Sequence, residues 1–321
     1  MPTPLDRRQL LAGAAALTGA ALAPAADAKP AKPFGFMFNT ATIRGQKLSL
    51  TQQLDVAAKA GYDSFEPWLG DLEEFVKSGN KLEDAAKRLK DAGLRVDSAI
   101  GFANWIVDDP AARKKGLEHA RRDMDLVRRL GGIRIAAPPA GATDKAIVDL
   151  FKVADRYAEL CKLGDKLGVV PQLEVWGFSK SLSRLGETAL VVVESGQPNA
   201  CVLADVYHLH KGGSGFGGLR NLSAACLQVF HMNDYPADPP RAKITDADRV
   251  YPGDGVAPLV PMLRALHELG FRGMLSLELF NRDYWKQDPL VVAKTGLAKM
   301  KAVVAKALDT KATAAPQMIG D

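Results

Sequence analysis

The chain has 321 residues, 47% hydrophobic and 25% charged, with a formal net charge of +5 at pH 7. These proportions are ordinary for a soluble globular protein and exclude a disordered or collagen-like chain. Three cysteines are too few for a disulfide scaffold, and Cys161, Cys201 and Cys226, an odd set without C-x-x-C spacing, read as buried free thiols. The positive balance invites a nucleic-acid reading until the charges are located.

Residues 1–28 read as an export signal. Arg7-Arg8 precedes Gln9-Leu10-Leu11, a mild Ala/Gly/Leu run to Ala23 follows, and Ala26-Asp27-Ala28 offers a cleavage site. Paired arginines before a weakly apolar core resemble a twin-arginine signal. A general secretory signal or an uncleaved anchor are the alternatives. The run is short of the roughly 20 residues a membrane span needs. The expectation is a periplasmic or otherwise exported protein that leaves the membrane after cleavage. Residues 29–309 then form one catalytic domain, and 310–321, rich in Ala and Thr, a loose tail.

From residue 34 short apolar runs alternate with amphipathic stretches. The runs are 34–39, 64–68, 95–101, 133–137, 169–175, 201–206, 227–231 and 274–279. Leu54-Ala57-Ala58 and Met124-Val127-Leu130 show helical spacing between them. Gly61, Gly93, Gly168 and Gly270 each stand where a helix should stop before a run. Eight strands alternating with about eight helices predict a parallel sheet, and eight units of this size fit a single (β/α)8 TIM barrel. A doubly wound open sheet is the runner-up.

In a barrel, catalytic groups lie at the carboxyl ends of the strands. The fifth to eighth runs end in Glu174, Asp205, His231 and Glu278. Charge in an apolar run is expensive unless paired or bound to a cation. Taken singly, the carboxylates could be satisfied by backbone donors, Asp205 could cap the next helix, and His231 could be a core histidine. Together, from adjacent strands, they form an O/N set suited to one divalent metal ion (Mn, Mg, Co or Zn).

These residues carry a resemblance. Leu-Glu174-Val-Trp-Gly, Asp205-Val-Tyr-His208-Leu, His231-Met-Asn-Asp234, Asp248-Arg249-Val-Tyr-Pro-Gly-Asp-Gly255 and Leu-Ser-Leu-Glu278-Leu-Phe are similar to the xylose isomerase-like barrel superfamily, in its sugar phosphate isomerase/epimerase branch. The resemblance implies Glu174, Asp205, His231 and Glu278 as metal ligands and the Glu174/Glu278 pair as proton carriers. It also implies His208 on substrate hydroxyls and Arg249 in substrate contact. Two departures matter. The stretch Gly-Phe-Ser-Lys180 lacks the second glutamate usual in ketose 3-epimerases, and 101–105 lacks the histidine of the phosphodiester-cleaving relatives. The function implied is isomerisation or epimerisation of a sugar or keto-sugar by proton transfer through an enediolate. The alternatives are a lyase or hydratase of a 3-keto sugar or glycoside, and a non-catalytic sugar-binding protein.

The four tryptophans, Trp68, Trp105, Trp176 and Trp285, each follow a strand end, and flat rings pack well on sugar C–H faces. Trp68, Trp105 and Trp176 are therefore expected to bind substrate, and Asn39 and Glu66 to bind hydroxyls. The charge resolves on location. Residues 113–129 carry net +4 and residues 286–311 also net +4, both in helical patterns read as outer solvated faces. What remains is acidic, with Glu66, Glu174, Asp205, Asp234 and Glu278 near the expected mouth. That suits a cation and a small neutral carbohydrate rather than nucleic acid. A homo-oligomer is left open.

Overall fold

A computed structural model describes residues 32–147 and 149–309. The expected export signal and the tail lie outside the described residues. Seven parallel strands form one sheet: β1 (Gly35–Asn39), β2 (Ser64–Glu66), β3 (Arg134–Ala137), β4 (Val170–Glu174), β5 (Cys201–Asp205), β6 (Leu227–Met232) and β7 (Met274–Leu277). Their order is β2-β1-β7-β6-β5-β4-β3. Each pairing is parallel, so each connection must cross back over the sheet, and the crossovers carry the helices.

Those helices are α1 (Leu50–Ala60), α2 (Leu69–Lys77), α3 (Leu82–Asp91), α4 (Pro110–Arg129), α5 (Leu150–Leu167), α6 (Leu185–Glu194), α7 (Val206–Gly212), α8 (Leu259–Glu268) and α9 (Pro289–Leu308). Helix α1 starts in a reciprocal cap between Ser49 and Gln52 and stops at Gly61, whose φ of 89° a side chain would resist.

The eighth predicted strand, 95–101, is not a regular one. Residues 95–100 still close the barrel. Four backbone bonds tie this segment to the β2 side (Phe65 N to Arg95 O, Arg95 N to Asp63 O, Ile100 N to Pro67 O, Leu69 N to Ile100 O), and two tie Ala99 to Arg134 and Ala136 of β3. Between these points side chains replace the ladder: Ser64 Oγ accepts from Asp97 N, and Gln172 Nε2 donates to Ser98 Oγ. A hydroxyl that takes a backbone amide competes with the sheet for it.

The barrel interior is filled by a small apolar cluster of Met37, Ile100, Ala136, Leu203, Val229 and Met274. The larger core lies between sheet and helices. Helices α4 and α9, which carry most of the excess positive charge, turn their lysines and arginines outward. No helix among the described residues is long and apolar enough to cross a membrane. Cys161 and Cys201 are buried free thiols and Cys226 is half-buried.

Candidate active site

The strand ends do converge. Glu174 is the last residue of β4, Asp205 the last of β5, His231 lies one before the end of β6, and Glu278 follows β7. Asp205, His231 and Glu278 each place a ligand atom within 4.8 Å of the others, and all three are buried. Glu174 stands outside that group of three and shares with Glu278, His208 and Arg249 the lining of a cavity of about 250 Å³.

Asp205 divides its carboxylate between two tasks. Oδ1 caps α7 by accepting from His208 N at 2.8 Å, while Oδ2 accepts from Asn233 Nδ2 at 2.9 Å and Arg249 Nη1 at 3.0 Å. The cap expected as one alternative is present, and the same carboxylate also faces the other ionisable groups of the cluster. Arg249 Nη1 also donates to Glu278 Oε2 at 2.9 Å, and Nη2 reaches Asp246 and His208 Nε2. The fully buried guanidinium is thus the counter-ion of the acidic centre, and those carboxylates raise its pKa against the cost of burial.

His231 presents its two nitrogens to different partners. Nε2 lies 3.2 Å from Glu66 Oε2, and Nδ1 lies 3.2 Å from Glu278 Oε2 and 3.8 Å from Asp205 Oδ2 without making a hydrogen bond. Burial would lower the His231 pKa, yet Glu278 and Glu66 raise it well above the usual value. Burial pushes Glu174 up to about 8, helped by Glu278 and Asp205. Glu278 goes the other way, to about 2, because His231 and Arg249 outweigh its burial. Two carboxylates of one site are thereby pushed apart, one towards the proton-carrying state and one towards the anion. His208 is held neutral, by burial first and by Arg249 second.

Glu174 Oε2, His231 Nδ1 and His208 Nδ1 are buried without a hydrogen-bond partner. Glu174 Oε2 and His231 Nδ1, unpartnered beside Asp205 and Glu278, are atoms that a divalent cation would satisfy, and this O/N set fits one.

Several expected substrate contacts are corrected. Asn39 and Glu66 are completely buried and already occupied. Asn39 Nδ2 donates to Glu66 and Glu278, and its Oδ1 accepts from Ala41 N and Trp68 Nε1. Glu66 accepts from Asn39 and Ser276 and faces His231. Their polar atoms are thus spent on the neighbours that frame the site. Trp105 is buried under the sheet, with Nε1 donating to Pro138 O at 2.9 Å and its ring against Tyr157. Trp285 donates to Ala41 O and does not line the cavity. Asp234 is turned from the mouth onto the loop behind it, accepting from the amides of Gly253, Gly255 and Ala257.

Trp68 and Trp176 do line the cavity, joined by Phe102, Phe178 and Phe280, which sequence reasoning missed. Phe280 had a signal: it stands two residues after Glu278, so in an extended chain it shares that residue's side.

Comparison with known proteins follows the same lines. A family model described as xylose isomerase-like TIM barrel matches residues 54–303. The chain belongs to the xylose isomerase-like TIM barrel family. Among curated relatives, an inosose isomerase of Bacillus velezensis is 29% identical over 84% of this chain and 96% of its own length. A 3-dehydroshikimate dehydratase of Pseudomonas aeruginosa is 23% identical over 78% of this chain and 39% of its own. The solved structure of IolI protein with a binding zinc atom superposes with a TM-score of 0.79 at 24% identity, covering 86% of this chain and all of that one. In family terms, the cavity lies where a barrel enzyme keeps its chemistry, at the carboxyl ends of the strands.

Proposed function

We propose that the chain is a divalent-metal-dependent isomerase or epimerase of a small keto-sugar or cyclic keto-polyol, acting by proton transfer through an enediolate. The inosose isomerases among its relatives support the enzyme class, and the zinc of the IolI structure supports the metal. The observation that carries the reading is Glu174, a buried carboxylate with one oxygen unpartnered and its pKa raised to about 8, in a cavity shared with Glu278. Such a group is matched to proton transfer near neutral pH.

Asp205, His231 and Glu278, with Glu174 beside them, would hold the ion, and when bound it supplies the polarisation of a substrate carbonyl that acidifies the neighbouring C–H. Glu174 Oε2, ionised beside the cation, would remove that proton and deliver it to the neighbouring carbon, which isomerises the substrate. Epimerisation would instead place on the opposite face a proton that Glu278 takes from solvent and delivers, while Glu174 gives up its own to solvent. His208, whose Nε2 accepts from Arg249, carries its proton on Nδ1 and donates it to a substrate hydroxyl. Arg249, with His231, keeps Glu278 charged, and Trp68, Trp176 and Phe280 pack on the C–H face of the ring and exclude water.

A lyase shares the first proton abstraction and then expels a β-substituent, and the dehydratase relative supports it as the second reading. One experiment separates them. Ketoses, inososes and keto-glycosides are incubated in deuterated water and followed by NMR. Deuterium incorporation without loss of water supports isomerisation, and an unsaturated, ultraviolet-absorbing product supports elimination. Glu174→Gln should abolish exchange; exchange retained at the wild-type rate sinks the mechanism. We infer from residues 1–28 that the protein is exported, which N-terminal mass analysis of the mature form tests.

A further inference from the structure

Among the described residues, a second group of side chains has metal-ligand spacing, on the outside of the barrel between α2 and α4: Glu73, His119 and Asp123. Asp123 lies on the face of α4 that packs inward and is 1% exposed, yet neither of its carboxylate oxygens has a hydrogen-bond partner. Burial raises its pKa to about 6. A buried carboxylate with no donor is rare unless a cation compensates it.

The two sides of Asp123 differ. Inward lies a cavity of about 10 Å³ bounded by Gly101, Ala103, Met124, Ile135 and Leu160. It has room for one water at most and almost no polar lining to hold it. Outward, His119 Nε2 is 3.3 Å from Asp123 Oδ1, one helical turn away, and Glu73 reaches in from α2. A separation of 3.3 Å is close to the ligand–ligand edge of a tetrahedron with bonds of roughly 2.0–2.1 Å. The imidazole is partly exposed, with 40% of its side chain in solvent, so an ion has an entry path and a fourth position open to water.

We propose that Glu73, His119 and Asp123 form a second divalent-cation site, suited to zinc, that clamps α2 to α4. The site stands apart from the barrel mouth and does not depend on the enzymatic reading. Its physical role follows from its place. Helix α2 begins directly after β2 at Trp68, and α4 follows residues 95–105, which close the barrel and carry Phe102 to the cavity wall. An ion there fixes the two helices that flank the irregular seam.

The test is a zinc titration of the full chain, wild type against His119→Gln and Glu73→Gln, with bound metal counted by elemental analysis. Both substitutions fall on side chains open to solvent, and circular dichroism checks the fold. The expected result is that each variant binds one equivalent less than wild type, whatever number the barrel mouth takes up. Equal stoichiometry in wild type and both folded variants overturns the proposal. Should one variant misfold, the other decides on the same count.

Discussion

Replacing Glu66 by glutamine should weaken divalent-ion binding at the barrel mouth by about 10–100-fold, the range found for second partners of metal-ligating histidines. The reasoning is one of hydrogen-bond counting. Glu66 Oε2 accepts from Asn39 Nδ2 at 2.9 Å and Ser276 Oγ at 2.5 Å, and Oε1 lies 3.4 Å from His231 Nε2. A glutamine has one acceptor oxygen, which must stay with the two donors. Its amide nitrogen then faces His231 Nε2, and two N–H groups cannot share that contact. The ring answers by moving its proton to Nδ1, the nitrogen 3.2 Å from Glu278 and 3.8 Å from Asp205. A protonated Nδ1 cannot be a ligand. The expected loss corresponds to ~1.4–2.7 kcal/mol. The assay is zinc competition against a chromophoric chelator, in a His119→Gln background so that only the mouth is read. An affinity within twofold of the parent, with the fold intact, would refute the tautomer argument.

Glu174 makes a pH prediction for the metal-free protein. Its folded pKa of about 8 exceeds the ordinary 4.5, so between those values the folded chain keeps a proton that the unfolded chain has lost. Its contribution to stability is therefore greatest below the ordinary value and is lost as pH rises towards 8. In the presence of chelator, Glu174→Gln should gain melting temperature over wild type on going from pH 5 to pH 8; a constant difference speaks against it. Trp105→Phe removes the buried bond to Pro138 O, and should cost about 1–3 kcal/mol in urea unfolding while leaving KM alone. Phe280→Ala should raise KM about threefold to tenfold by removing an aromatic face from the cavity, with little change in melting temperature. Gly177→Ala should lose about 1–3 kcal/mol, because an added Cβ would stand 2.2 Å from His208 O and 2.5 Å from Gly212 N.

Glu174, Asp205, His231 and Glu278 were legible because charge at the end of an apolar run is costly enough to need a reason. Periodicity and glycine stops made the alternating barrel readable for the same kind of cause: each is a local rule that the fold obeys. What failed was inference from nearness in sequence. Trp105 follows a strand segment by a few residues, as Trp68 does, but Trp68 lines the cavity while the Trp105 indole is buried away from it and donates to Pro138 O. Asn39 and Glu66 sit at strand ends as expected, yet inside the barrel their side chains reach across to Glu278, Ser276 and His231 of the facing strand ends, which consume their polar groups. Arg249 does line the cavity, and what the sequence did not supply is its pairing with Asp205 and Glu278, made from a loop whose path nothing local encodes. The irregular course of 95–100 was hidden because an apolar run looks alike whether its amides meet a strand or the hydroxyl of Ser64.

That segment has a mechanical consequence. Seven staves of the barrel are joined by parallel backbone ladders, that between β5 and β6 with a register shift at 202–204, and the eighth is stitched at its ends, with Ser64, Ser98 and Gln172 holding its middle. A hoop yields at its least regular joint. Phe102, part of the cavity wall, follows directly on that joint. The cavity wall is thus tied at Phe102 to the one stave held partly by side chains, whereas Glu174, Asp205, His231 and Glu278 stand on or directly after strands paired backbone to backbone.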